Sequence, residues 1–208
     1  MRYLTSALIS EGVSDDAFLP RLLTRALTEL CAVEFGAPID VADVQPLRRR
    51  GGPPTVDQAI DLVDAYPRSY LVVFFHRDQG GSADRVRREW LDPLRARWGD
   101  RAERLVAVVP VRETEAWLLA DGDAIRRALG VPSWTDAQLG LPRSASDVER
   151  LPDPKKVVEA LLGRVSRRPE HHLSQLGELV SLGRLSEVPA FTRWWSDTRD
   201  ALLDLGFR

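Results

Sequence analysis

Cysteine, lysine and long apolar runs are scarce in this chain of 208 residues, and each scarcity excludes a class of protein. Cys31 is the only cysteine, so the chain can form neither an internal disulfide nor a cysteine-based zinc cluster. No apolar run reaches the roughly 20 residues that a membrane-spanning helix needs. The first residues show no signal-peptide pattern, because Arg2 precedes a short apolar run that ends in acids. We therefore expect a soluble cytoplasmic protein with a buried thiol.

Several motifs of well-known enzyme classes are also missing. The sequence contains no Walker phosphate loop, no GxGxxG after its first apolar run, no HExxH and no GxSxG elbow. These absences argue against ATP hydrolysis by the chain itself, dinucleotide redox chemistry and serine hydrolysis. The formal net charge of −2 gives no overall attraction to nucleic acid or to acidic membranes.

Apolar residues follow strand-like and helix-like patterns in alternation along the first part of the chain. Continuous or alternating apolar runs, which predict strands, occur at 3–9, 39–47, 70–75 and 105–111. Helical spacing follows them at 15–31, 55–65, 82–98 and 112–121. This order predicts an α/β fold built from right-handed βαβ units, with a mostly parallel central sheet of about four strands flanked by helices.

The composition changes after residue 130. Residues 130–152 are rich in Pro, Ser, Gly and Asp, which predicts an irregular excursion. Helical spacing returns at 154–165, 173–181 and 190–205. We therefore predict a core over 1–130, and over 131–208 the excursion plus a helical extension that packs on the core as a C-terminal cover.

Acidic residues follow the ends of three predicted strands. Glu11 follows the first, Asp78 comes two residues after His76 at the end of the third, and Glu113 and Glu115 follow the fourth. In open parallel sheets the carboxyl ends of the strands line the ligand crevice, and carboxylates gathered there can hold a divalent metal. Each also has a plain structural interpretation: a solvated loop acid, a hydrogen-bonded strand-end histidine, or acids favoured by a helix dipole.

Basic residues supply local positive charge despite the overall balance. Of the 29 Lys and Arg residues, only the adjacent Lys155 and Lys156 are lysine. Either these positions require the compact ammonium group of lysine, or they are two surface lysines without a function. Arginines in the glycine-flanked loop 48–54 are candidates for phosphate contacts, although most charge runs are simply solvated. The predicted nucleic-acid contacts are Arg48, Arg49, Arg50, Arg77, Arg112 and Lys156.

Four short motifs carry a resemblance to a known fold family. They are EGxxD from Glu11 to Asp15, RDxG from Arg77 to Gly80, VRETEAWLLAD from Val111 to Asp121, and DPKK from Asp153 to Lys156. Together they resemble the TOPRIM domain of topoisomerases, bacterial primases and the nucleases of the overcoming-lysogenization-defect class. They are still more similar to a small stand-alone bacterial TOPRIM-like family of unknown function. The resemblance covers about the first 160 residues, and VRETEAWLLAD is its most specific part.

The resemblance implies a TOPRIM/Rossmann-like fold and a nuclease that depends on Mg²⁺ (or Mn²⁺). Glu11 would organise the metal or act as general base, and Asp78 would be a metal ligand. Glu113 or Glu115 would complete the acidic patch, and Lys155 would stabilise phosphate charge. His76 departs from the pattern, because a TOPRIM domain has the first aspartate of a doublet there, and it enters our predicted metal set as an imidazole ligand.

The resemblance also implies partners and alternatives. Small TOPRIM proteins are often encoded beside an AAA- or ABC-type ATPase in modules that look like antiviral defence, so we expect DNA or RNA and such an ATPase as partners. The alternative is a non-catalytic or nucleic-acid-binding subunit of an ATPase complex, in which His76 marks a degenerate metal site. A nucleotide phosphotransferase is a third possibility, but the sequence shows no recognisable base pocket.

Overall fold

A parallel sheet forms the centre of the computed structural model, which describes residues 2–48, 52–66, 69–78, 83–165 and 169–208. Four short strands come first in the chain. They are β1 (Arg2–Leu4), β2 (Ser6–Ile9), β3 (Ile39–Val41) and β4 (Gln45–Pro46). The longer central strands are β5 (Val72–His76) and β6 (Leu105–Val108). β1 pairs with β3, and a four-stranded sheet runs in the order β4-β2-β5-β6 with every pairing parallel. The predicted α/β class is confirmed.

Alternation along the central strands divides their side chains between two cores. Leu8 and Phe74 belong to the larger apolar core, whereas Ala7, Val73 and Phe75 belong to the smaller one on the opposite face. Successive strand residues point to opposite faces, so a strand covered on both sides must be apolar at every position. This is why β2 is apolar from Ala7 to Ile9 and β5 from Val72 to Phe75, and both strands are buried throughout.

Helices cover both faces of the sheet. α1 (Val13–Glu34) and α2 (Val56–Asp64) follow β2 and β4, and after β5 come α3 (Ala83–Val86), a π-helical turn (Arg87–Leu91), α4 (Asp92–Trp98) and a 3₁₀ segment (Gly99–Arg104). The start of α2 is set by Thr55, whose hydroxyl accepts from Gln58 N at 3.4 Å while Gln58 Oε1 accepts from Thr55 N at 2.9 Å. α5 (Glu115–Leu118) and α6 (Gly122–Leu129) follow β6.

The remaining residues form a helical cover on α1 and β6. Its elements are α7 (Asp136–Leu139), a 3₁₀ segment (Ala145–Arg150), α8 (Pro154–Val165), α9 (Pro169–Leu179), α10 (Leu182–Leu185) and α11 (Pro189–Asp204). Its buried residues join those of the sheet and α1 in one apolar core. The division of the chain at residue 130 stays a prediction. Among the helices described, none combines the length and apolarity that crossing a bilayer requires.

Several predicted elements differ from the structure. The runs 3–9 and 39–47 are each broken into two strands, the run 105–111 forms a strand only as far as Val108, and the excursion 130–152 contains α7 and a 3₁₀ segment. The predicted helix 112–121 was wrong at its start: α5 begins only at Glu115, because Arg112 has a φ of 67° and turns the chain. A positive φ is incompatible with a continuing right-handed helix. Cys31 is buried as expected, and burial raises the pKa of its thiol to about 11.

Candidate functional site

The acids predicted at the strand ends converge at the carboxyl edge of the sheet. β2 and β5 are neighbours with Ile9 opposite Phe75, so Glu11 and Asp78 follow adjacent parallel strands at nearly the same level. The side chains of Glu11 and Asp78 are 32% and 27% exposed, so both reach solvent. The charge of Glu11 contributes to raising the pKa of Asp78, which places the two carboxylates within electrostatic range.

His76 lies at the centre of this edge and is fully buried. Its Nδ1 donates to the carbonyl oxygen of Val108 on the neighbouring strand at 2.9 Å, which fixes the ring. Its Nε2 therefore faces the acids, 3.3 Å from Asp15 Oδ1 and 3.5 Å from Asp78 Oδ1. The hydroxyl oxygen of Thr114 lies 3.1 Å from the same nitrogen. One imidazole thus connects segments that follow three different strands.

The charge states of His76 and Asp15 follow from this pairing. Burial by itself lowers the pKa of His76, but the hydrogen bond to Asp15 and the charges of Asp15 and Asp78 outweigh it and raise that pKa to about 9. Burial by itself raises the pKa of Asp15, but the contacts with His76, Thr114 and the amide of Gly12 outweigh burial and keep that pKa below the usual range. At neutral pH the two residues form a buried imidazolium–carboxylate ion pair.

Asp78 and Glu115 carry the charge that remains uncompensated. Burial and repulsion from Asp15 and Glu11 raise the pKa of Asp78 to about 6, although His76 and the amide of Thr114, 2.9 Å from Asp78 Oδ1, favour its ionised form. Burial and the charges of Asp78 and Asp15 raise the pKa of Glu115 to about 7. Like charges brought close together disfavour ionisation, so this edge holds more carboxylates than its own cations neutralise.

Arg77 is buried rather than presented to a nucleic acid, so the prediction of a direct contact there was wrong. Its side chain is 2% exposed and its guanidinium lies over the rings of Phe75 and Trp90. It donates to backbone carbonyl oxygens of His76 and Pro54 at 2.9 and 2.7 Å. A guanidinium in this setting has no open face for a phosphate.

Glu113 and the two lysines form a separate group at the start of α8. Glu113 Oε2 accepts from the backbone N of Lys155 at 3.0 Å, so this acid caps α8. The acid that joins the cluster is Glu115, at the first position of α5. Lys156 pairs with Asp153 at 2.6 Å. The exposed Lys155 side chain remains a candidate for phosphate contact.

The other predicted arginines lie at the periphery. Arg48 pairs with Asp16 at 2.8 Å and lines a cleft of about 130 Å³ with Glu11, Gly12, Leu47, Pro54 and others. Arg112 is exposed, and its guanidinium donates to the Pro152 carbonyl oxygen at 3.4 Å. Arg49 and Arg50 lie outside the described residues.

Asp15 is the central residue that our sequence-based site did not include. It sits at the third position of α1, where its Oδ2 accepts from Gly12 N at 3.1 Å, and it is 6% exposed. A signal was present: Asp15, Phe18, Leu19 and Leu22 follow the helical spacing of one buried face. An acid on the apolar face of a helix must have a buried partner, and here that partner is His76.

The donor set limits the kind of metal site that this edge could form. Within the described parts of the chain, no three His, Cys, Asp or Glu side chains are arranged to hold one metal ion. Zinc in proteins usually has three or four side-chain ligands, whereas Mg²⁺ takes one or two carboxylates and completes its shell with water and substrate phosphate. Glu11 and Asp78 have the oxygen chemistry and the exposure for the second arrangement. The chemistry of these donors thus suits a Mg²⁺-type ion and not a closed protein cage.

Comparison with known protein families gives a match that covers most of the chain. The sequence pattern of a family described as a domain of unknown function, DUF4276, matches residues 10–197. This range includes every acid of the cluster, from Glu11 to Glu115. No curated protein and no solved structure matches the chain significantly.

Proposed function

The chain belongs to the DUF4276 family of domains of unknown function, and on the geometry of the site and the TOPRIM resemblance we propose that it is a divalent-metal-dependent nuclease of TOPRIM type. Its reaction would be hydrolysis of a phosphodiester bond in DNA or RNA. One observation carries the proposal: acids that follow separate strands meet at the carboxyl edge of a parallel sheet. That edge is where open α/β folds bind their ligands.

Glu11 and Asp78 would hold Mg²⁺ or Mn²⁺ through their exposed oxygens. A divalent ion bound there would polarise the phosphate and lower the pKa of a bound water. The residues behind them keep the edge in place: His76 holds Asp15 and Asp78, and the amide of Thr114 binds Asp78. This inner layer would orient the outer carboxylates without meeting the substrate.

The basic residues around the edge would contact the phosphate backbone. Arg48 lines the same cleft as Glu11. Lys155 lies beside Glu113, which accepts a hydrogen bond from its backbone N. Guanidinium and ammonium groups at such positions would stabilise negative charge that develops on the phosphate. An AAA- or ABC-type ATPase partner and a role in antiviral defence belong to the same proposal and rest on the TOPRIM resemblance alone.

One observation favours a second candidate function. Asp15 is paired with His76, and Glu11 Oε1 lies 3.5 Å from Arg77 Nε, so the chain's own cations already contact two of the acids. Neutralisation of the acids by the protein's own cations, in place of a metal ion, is what we expect of a degenerate metal site. Such a site would belong to a non-catalytic or nucleic-acid-binding subunit of an ATPase complex. Metal binding distinguishes the two functions.

The test compares Glu11→Gln and Asp78→Asn with the wild type. We expect Mn²⁺-dependent cleavage of labelled DNA or RNA oligonucleotides by the wild type and at least about a hundredfold loss in both variants, since even residues that only support metal ligands contribute roughly 10–100-fold. Glu178→Gln is the matched control, because Glu178 is an exposed acid paired with Arg21 at 3.7 Å on the helical cover.

Two results would contradict the nuclease proposal. Equal cleavage by the wild type and both site variants would assign the activity to something other than this edge. Calorimetric titration with Mg²⁺ and Mn²⁺ that gives no binding to folded wild-type protein would favour the non-catalytic subunit.

A further inference from the structure

A buried arginine stands directly behind Glu11. The guanidinium carbon of Arg77 lies 4.5 Å from the centre of the Phe75 ring and 4.2 Å from that of Trp90. Cations over aromatic faces at these distances are attracted by the ring quadrupole, more strongly when water is excluded. The stack therefore fixes the plane in which the guanidinium lies.

Two of the guanidinium nitrogens are held by the backbone. The Nη1 atom donates to the carbonyl oxygen of His76, and Nη2 donates to that of Pro54, which precedes α2. Arg77 thus connects the end of β5 to the segment before α2. With these two contacts made, Nε is the nitrogen that remains for a third segment of the chain.

The third segment is the turn that carries Glu11. Arg77 Nε lies 3.5 Å from Glu11 Oε1, an ion-pair distance, yet it makes no hydrogen bond to any described residue. A buried N–H without a partner is unfavourable, and a buried cation requires a counter-charge. A small movement of Glu11 towards Arg77 would satisfy both requirements.

The helical segment that contacts Arg77 has an unusual hydrogen-bond pattern. Trp90 belongs to the π-helical turn Arg87–Leu91, in which the amide of Asp92 donates to the carbonyl oxygen of Arg87, five residues back. Such turns are rare in helices and often occur at functional sites. Here the turn carries the Trp90 ring, which contacts Arg77 beside the Phe75 ring, with the two ring centres 6.1 Å apart. The unusual helix and the buried cation therefore belong to one arrangement.

We propose that Arg77 is a positioning residue that holds the Glu11 carboxylate at the acid cluster. The inference rests on the proposed function for the role of Glu11 in metal binding. It replaces a direct contact between Arg77 and nucleic acid, which burial of the guanidinium rules out. A purely structural arginine would bind the two carbonyl oxygens and would be indifferent to Glu11.

A double-mutant cycle tests the connection without requiring any activity. Arg77→Lys, Glu11→Gln and the double variant are unfolded with urea and compared with the wild type. We expect a coupling of about fivefold or more in the unfolding equilibrium constant, because residues in contact are not additive. Trp90→Phe, which keeps an aromatic face over the guanidinium, is the second variant if Arg77→Lys fails to fold.

The control is Arg25, a partly buried arginine that, like Arg77, donates to two backbone carbonyl oxygens, those of Gly177 and Val180. Arg25→Lys combined with Glu11→Gln should be additive within about twofold. Mn²⁺ affinity of the folded variants is measured alongside by calorimetry. Arg77→Lys should weaken it about tenfold, as loss of a residue that supports a metal ligand does, and Arg25→Lys should leave it unchanged.

Each outcome decides the inference. Additive behaviour of Arg77 and Glu11 overturns it, and so does unchanged Mn²⁺ affinity in Arg77→Lys when the wild type binds the ion. Coupling with weakened Mn²⁺ binding supports it. If wild-type protein binds no Mn²⁺, the proposed function fails, and the unfolding cycle alone then decides whether Arg77 holds Glu11.

Discussion

The carboxyl edge of the sheet and the helical cover are both buried, but by different means. At the edge, four buried polar side chains each have a directed partner: Asp15, His76, Arg77 and Thr114. In the cover, buried aromatic rings pack against the sheet and against α5. Their centres are 5.8 Å apart for Phe74 and Trp194, and 5.3 Å apart for Trp117 and Phe191.

This difference separates stability from function. Apolar contacts stabilise roughly in proportion to the area they bury, and they tolerate small shifts of position. Buried ion pairs contribute little net stability because desolvation opposes them, but they fix the direction of each group. We infer that the cover contributes more to the folding free energy than the edge does and that the edge supplies geometry.

The largest effect is expected in the cover. Trp194→Ala should lower the free energy of unfolding by about 4 kcal/mol, because a fully buried indole in contact with Phe74 and Phe191 leaves a cavity. Urea denaturation measures the change. The neighbouring Trp195, which is only partly buried, is the control, and Trp195→Ala should cost clearly less. Equal losses at the two positions would contradict the assignment of Trp194 to the centre of the cover.

A somewhat smaller effect is expected at the edge, with a different signature. His76→Leu should cost about 3 kcal/mol at pH 7, because it leaves the buried Asp15 carboxylate without its cation. Adding Asp15→Asn should recover part of that loss, since the unpaired charge is then gone. Unfolding curves for the two single variants and the double variant measure this. A double variant with the sum of the two single losses would show that the pair does not act as a unit.

The smallest effect tests how closely the cover approaches the core. A Cβ at Gly177 of α9 would lie 2.5 Å from the carbonyl oxygen of Phe18 in α1, so Gly177→Ala should cost about 2 kcal/mol. Gly163 of α8 has open space around it, and Gly163→Ala should instead stabilise by about 0.5–1 kcal/mol. Both are measured by thermal or urea unfolding. Similar results for the two glycines would mean that α9 can move away from α1 without loss.

Several parts of the fold could be predicted because their cause is local. The continuous apolar runs of β5 and β6 reflect burial on both faces, and α8 was predicted with the bounds that the structure gives it, 154–165. The convergence of Glu11, His76 and Asp78 followed from strand parallelism. A prediction failed at Arg112, whose positive φ delays the start of α5 to Glu115 and has no counterpart in the apolar pattern.

The site shows the same division at the level of single residues. Glu113 and Glu115 are two residues apart and equivalent by composition, yet Glu113 caps α8 and Glu115 joins the acid cluster. Asp15 looked like an ordinary acid in the first turn of a helix until its imidazolium partner was visible. Arg77 looked like a phosphate contact because its aromatic cover comes partly from Trp90, thirteen residues further along the chain.

The sequence alone determined the α/β class, the parallel direction of the strands and the edge at which the acids gather, because periodicity and the alternation of strands and helices are properties of the chain itself. Only the tertiary structure decided which acid is paired, which is exposed and which cation is buried. Pairing and desolvation depend on the distance between side chains that are far apart in sequence, and no local pattern encodes that distance.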